Sequence, residues 1–162
     1  MPRGEPSGAT EETMQEHHYR HLLIMSGLSF VSMYVLMYAM VNTFGNVYSN
    51  VNEVYMAGLM TAPMVVIEMF VMRGMYPDKR RNMLITSGSV AGAVLLFIFI
   101  RQQTGVSDRQ FLRSMIPHHA SAILMCEQSP IRDPEIKTLC RTIISSQQAE
   151  IDQMKAKLRL LR

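Results

Sequence analysis

The chain has 162 residues, 48% of them hydrophobic and 18% charged, with a formal net charge of +3. Two cysteines are too few for a disulfide scaffold, and no basic motif of a nucleic-acid binder is present. What matters is distribution: the apolar residues gather in three long runs.

In chain order, residues 1–9 hold Pro2, Gly4, Pro6 and Gly8 and read as disordered. Thr10 reads as a helix cap, with Glu11 and Glu12 in the first turn. Residues 1–21 form a polar tail. Runs 22–41, 54–72 and 83–100 contain no Lys or Arg, and Glu68 is their one charged residue. Each is long enough to cross a hydrocarbon core of about 30 Å. The first run follows a tail with four Glu and lacks a small-x-small cleavage site, so it is expected to be retained rather than removed as a signal peptide. Asn42 to Asn52, with Gly45 and four Asn, reads as a loop, and Tyr-Pro-Asp at 76–78 interrupts the chain before the third run.

After a short linker at 105–107, Ser107 caps a helix expected over 108–128, ended by Ser129 and Pro130. Asp133 caps a second helix that has Pro134 at its first position and should reach about 160. There is no strand pattern and no internal repeat. The expected fold is all-α: a three-span membrane domain over 22–100, then an extramembrane, His/Met-rich helical hairpin over 107–161.

Arg73, Lys79, Arg80 and Arg81 follow the second run, whereas 42–53 carries no Lys or Arg. The positive-inside rule then puts the N-terminus and the 73–82 loop in the cytoplasm and 101–162 outside, in an inner (cytoplasmic) membrane. Arg101, Arg109 and Arg113 oppose this orientation.

The chemistry concentrates at 114–127, where two His, two Met and a Cys fall in one amphipathic segment. On helical spacing Leu112, Met115, His119, Ala122 and Cys126 share a face, with His118 and Met125 beside it. In the second helix Cys140, Ile144, Gln147, Ile151, Met154 and Leu158 form a stripe. A fold about 130–131 pairs position 119 with about 143 and 115 with about 147, bringing His119, Met115 and Gln147 into one interior layer. A buried His and Gln need hydrogen bonds or a metal. Imidazole and thioether together suit copper, above all Cu(I). Cys126 and Cys140 suit either a disulfide or a pair of soft ligands. Pro117 leaves the Arg113 carbonyl without its helical donor and predicts a kink.

Met-Ile-Pro-His-His at 115–119, Ala-Ile-Leu-Met at 122–125 and Ile-Ile-x-x-Gln-Gln-x-Glu-Ile-x-x-Met at 143–154 resemble domain-of-unknown-function family 305. That family is ferritin-like and helical and includes extracytoplasmic copper-binding proteins of the CopM kind. The resemblance implies Met115, His118, His119, Met125 and Met154 as ligands. It also implies that this single hairpin is half of a four-helix bundle.

Secondary metal candidates lie elsewhere. The tail holds Met14, His17, His18 and His21, with 14, 18, 21 and 25 on one face. Of 16 Met, eleven fall between 25 and 83, and Met56, Met60, Met64 and Met72 recur at four-residue steps around Glu68. Such a stripe resembles eukaryotic high-affinity copper transporters, which also have three spans and a Gly-x-x-x-Gly like Gly88 and Gly92. Met is also an adaptable apolar filler. Glycines 58, 88 and 92 would let helices approach closely.

The leading expectation is a membrane-anchored copper-binding protein for extracytoplasmic sequestration, transfer or resistance, and not an enzyme. A di-iron oxidase would need Glu-x-x-His motifs, and this chain has none. The alternatives are a copper transporter using the Met stripe, or a helical interaction module with structural His. Expected partners are the lipid membrane, a copper donor or acceptor protein, and a second copy: the second helix is apolar on more sides than one partner covers, so a homodimer through the hairpin is expected.

Overall fold

The computed structural model describes residues 8–161, with side chains from Glu16 onward. Of the disorder expected over 1–9, residues 1–7 lie outside what is described, as does the Met14 side chain, while Gly8 and Ala9 are helical and open α1. Five α-helices follow in order: α1 Gly8–Leu36, α2 Val51–Val71, α3 Lys79–Gln102, α4 Asp108–Gln128 and α5 Pro134–Leu160. There is no strand among the described residues. Because α1 reaches back to Gly8, Thr10 lies inside its first turn rather than capping it.

Segments Glu16–Met40, Val51–Val71 and Lys79–Gln102 are long and apolar enough to cross a membrane. Only 6%, 11% and 0% of their most apolar windows is buried, so protein does not solvate them. The first is not one uniform helix: α1 tightens into a 3-10 turn at Met37–Met40.

The chain divides into two compact units. One contains residues up to Met33 together with Tyr55–Phe99. Its core is Leu22, Val65, Met69 and Tyr76, with Tyr19, Met25 and Ile85 packed on it. The buried face of α2 carries Ala57, Thr61, Val65 and Met69 at four-residue steps. Gly58 is a close-approach point, where a Cβ would meet Leu96 at 2.8 Å and Phe30 at 3.8 Å. Gly88 and Gly92 have nothing within 4 Å of where a Cβ would stand, so the expected close packing at that pair is absent within the unit.

The other unit contains Tyr34–Val54 and Ile100–Arg162. The Ser107 hydroxyl accepts from the Gln110 amide and starts α4, which runs through Pro117 to Gln128. The Asp133 carboxylate accepts from the amides of Glu135 (2.8 Å) and Ile136 (3.0 Å), with Pro134 at the first position of α5. Two local devices therefore start both helices where the sequence places them. The pair packs on Ile116, Ala120, Ile123 and Ile151, all buried to within 2%. Val41 and Tyr48 from the preceding loop also cover this core.

The buried residues of α4 are Ile116, Pro117, His119, Ala120 and Ile123. The inward face is thus turned about one position from the expected 112/115/119/122/126 face. The register differs as well. Cys126 pairs with Cys140, and His119 meets Glu150 rather than the region of 143. The cause is the connector: Ser129 and Asp133 are both extended, so the chain does not reverse within two residues. The meeting point therefore slides by one to two helical turns.

Between α3 and α4 the backbone enters the left-handed region twice, at Gln103 (φ 51°) and Gly105 (φ 72°). Gly105 does so freely. Gln103 is held there by its side chain, which donates to the Ile100 carbonyl (2.7 Å) and accepts from the Asn52 amide group (3.0 Å).

Candidate metal centre on the disulfide-closed helix pair

His119 is the organising residue of the site, and it is buried. Its Nδ1 lies 2.9 Å from the Met115 carbonyl oxygen and its Nε2 lies 2.7 Å from Glu150 Oε2. A carbonyl only accepts, so Nδ1 carries a proton. Nε2 then faces a carboxylate, and a proton must lie between them. The pair is complete without a metal, and the Glu150 carboxyl is half-exposed to solvent. A metal at Nε2 would take the place of that shared proton. The Nδ1–carbonyl bond is the kind of outer contact that fixes a ring for ligation through Nε2.

His118 is exposed, and its ring centroid stands 6.3 Å from that of His119. Met125, one side of the motif, is exposed, and Met115 is half-buried. Met154 packs against the core of the helix pair. Gln147 is half-buried and does not meet His119, because the shifted register substitutes Glu150. Cys126 and Cys140 form a disulfide, with Cα atoms 5.2 Å apart. The expectation of two soft thiolate ligands therefore fails for this state: both sulfurs are spent on each other. Among the described residues no three His, Cys, Asp or Glu side chains gather as a metal-ligand group.

Glu150 is the functional side chain that sequence reasoning missed. It stands within the Gln-Gln-x-Glu-Ile run, but only the correct register shows that it meets His119.

The secondary candidates are dispersed. Met56 and Met60 are exposed, one position round from the buried face of α2, and Met64 is half-buried. The sulfur row thus lies on the outer side of the helix. Glu68 accepts from the Tyr76 hydroxyl at 3.2 Å, which gives it a partner within the unit. Burial, then the Glu68 carboxylate, pushes the Tyr76 phenol above its ordinary range. In the N-terminal segment His17 and His21 face one another at 6.2 Å, while His18 turns edge-on to Tyr76 at 6.5 Å. The ring facing His21 is thus that of His17.

A helix pair closed by one disulfide, carrying paired imidazoles and preceded by three helices of membrane-spanning length, defines the class of protein. Residues 68–158 match the family described as domain of unknown function (DUF305), and the chain belongs to it. The match runs from the end of α2 through α5, so the family region takes in the third apolar helix as well as the helix pair. An uncharacterized protein of Acanthamoeba polyphaga mimivirus is 34% identical over 136 residues, covering 82% of this chain and 88% of its own length. No solved structure matches the chain.

Proposed function

We propose that this chain is a membrane-anchored copper-binding protein that holds or hands on Cu(I) outside the cytoplasm. The observation that carries the reading is the His118–His119 pair on α4, flanked by Met115 and Met125. Imidazole with thioether is a soft, neutral donor set, and it favours Cu(I) over harder divalent ions. The residues fit such an ion. His118 is exposed, Met115 and Met125 lie three positions before and seven after it, and His119 is oriented for Nε2 ligation once Glu150 releases it.

In this reading α1, α2 and α3 cross the bilayer, with the N-terminus and the 73–82 loop in the cytoplasm and the helix pair outside. A disulfide accords with an oxidising compartment. Ile136 and Leu139 of α5 stay exposed, and a second copy packing there would complete a ferritin-like four-helix bundle.

The test is titration of the full-length protein in detergent with Cu(I) and Cu(II). Replacing both His118 and His119 with Ala should cost at least about tenfold in Cu(I) affinity, roughly 1.4 kcal/mol. A Met14/His17/His21 triple variant should lose less. Equal losses would make the N-terminal segment an equivalent site and overturn the ranking, and unchanged affinity in the His118/His119 variant would overturn the reading.

A further inference from the structure

The three-helix unit distributes its charge in one place. Residues 22–33, 55–67 and 83–99 contain no charged side chain. Arg20, Arg73, Lys79, Arg80 and Arg81 all belong to the end where α1 meets the start of α3, with Glu16, Glu68 and Asp78 as the acids there among the described side chains. A topology signal requires only that count. The structure adds shape: a cleft of about 390 Å³ lined by Glu16, His17, Tyr19, Arg20 and Arg81.

The cleft is built rather than incidental. Asp78 places one carboxylate oxygen on the amides of Arg80 (2.9 Å) and Arg81 (3.0 Å), and the other 3.1 Å from Arg81 Nε. That contact orients the guanidinium through Nε, and no described side chain is hydrogen-bonded to its two Nη groups. The Arg81 guanidinium carbon also sits 5.7 Å over the Tyr19 ring. Tyr19 is fixed in turn, donating to Asn82 Oδ1 at 2.7 Å, while Asn82 donates to the Tyr76 carbonyl at 2.7 Å. Arg20 and His17 reach the same cleft from α1. Two arginines thus line one cleft, one with its guanidinium held in advance, and guanidinium forks suit phosphate oxygens.

We propose that this cleft binds the phosphate of an anionic phospholipid headgroup. The occupant is a lipid rather than a free phosphate because of what lies beside the cleft. One turn on from its lining residues, Leu23 (73%) and Ile24 on α1 and Met83 (64%) and Leu84 on α3 are exposed to no protein. A phosphate tethered to acyl chains satisfies the cationic cleft and this apolar surface together, whereas a free anion satisfies only the first. Glu16 at the rim opposes diffuse anion accumulation and favours a ligand held by direct contacts. The inference is independent of copper.

The experiment uses the full-length protein in nanodiscs of phosphatidylcholine, alone or containing phosphatidylglycerol. Lipid retained after detergent extraction is counted by native mass spectrometry. One phosphatidylglycerol should be retained in preference to phosphatidylcholine. The Arg20→Gln/Arg81→Gln variant should bind it about tenfold more weakly, as expected for losing charge-assisted hydrogen bonds. Arg73→Gln/Lys79→Gln removes the same charge and should weaken retention less than about twofold, as for solvent-exposed charges. Arg20→Gln alone leaves the Asp78–Arg81–Tyr19 contacts intact, so its loss of lipid reports binding and not folding. Equal effects of the two pairs would reduce the cleft to diffuse charge. Inorganic phosphate displacing the lipid at equal concentration would make it a soluble-anion site. Either outcome overturns the proposal.

Discussion

The two units of this chain place their apolar side chains in opposite ways. The three apolar helices keep nearly all their large side chains on the outside, and their shared core is four buried residues plus three partial ones. The α4–α5 unit does the reverse. Its outer surface is polar over most of α5, and Ile116 and Ile151 are fully buried against each other's helix. Apolar content therefore says little about where a core lies. The periodicity of α4 and α5 marks a protein interior, and its weakness in α1 to α3 goes with apolar side chains exposed all round the helices.

This contrast can be broken most sharply at Ile151. Ile151→Ala empties a fully buried site and should cost about 4 kcal/mol in the helix pair, read as lost amide-exchange protection over 108–160. Protection in α2 and α3 should be unchanged. Next comes the disulfide. Cys126 and Cys140 are 14 residues apart, and reduction or a double Ser variant should remove about 3 kcal/mol from the same unit, seen in denaturant unfolding. A smaller loss follows Glu150→Ala. It strips the buried His119 of its Nε2 partner, but water reaches the half-exposed Glu150 position, so about 1.5 kcal/mol is expected from thermal melting. Leu84→Ala should be smallest. That side chain is exposed on α3, and its loss should change detergent-solubilised stability by less than about 0.5 kcal/mol. A large effect there would mean that protein, not lipid, covers α3.

Element positions were legible because their signals are local. Asp133-Pro134 and Ser107 are start devices read from two or three residues, and both helices begin there. The three apolar runs were equally plain. What the sequence could not convey was pairing. The 129–133 connector carries no turn code that fixes a reversal point, so the register expected for 119 was off by about two turns. That error alone hid Glu150 and promoted Gln147. Residues 42–50 connect α1 and α2 as the Asn-rich stretch implies, but nothing local marks Val41 before it or Tyr48 within it as cover for the helix pair. Their contacts with Ile116 and Ile151 join positions far apart in sequence, which no short pattern records. The disulfide belonged to the same class: both cysteines were visible, and only geometry chose between bonding and ligation.

Gln103 sets a rule for how this family can vary. A left-handed backbone costs a side-chain-bearing residue about 1 kcal/mol relative to glycine, and Gln103 offsets that through Ile100 and Asn52. Two kinds of replacement should therefore be tolerated: glycine, which removes the cost, and asparagine, which tolerates the conformation and keeps an amide within the turn. Val or Ile would lose on both counts. Where glycine takes the position in a relative, residue 52 loses the acceptor at 103 and keeps Ser114, so the constraint on it weakens and the two positions are expected to change together.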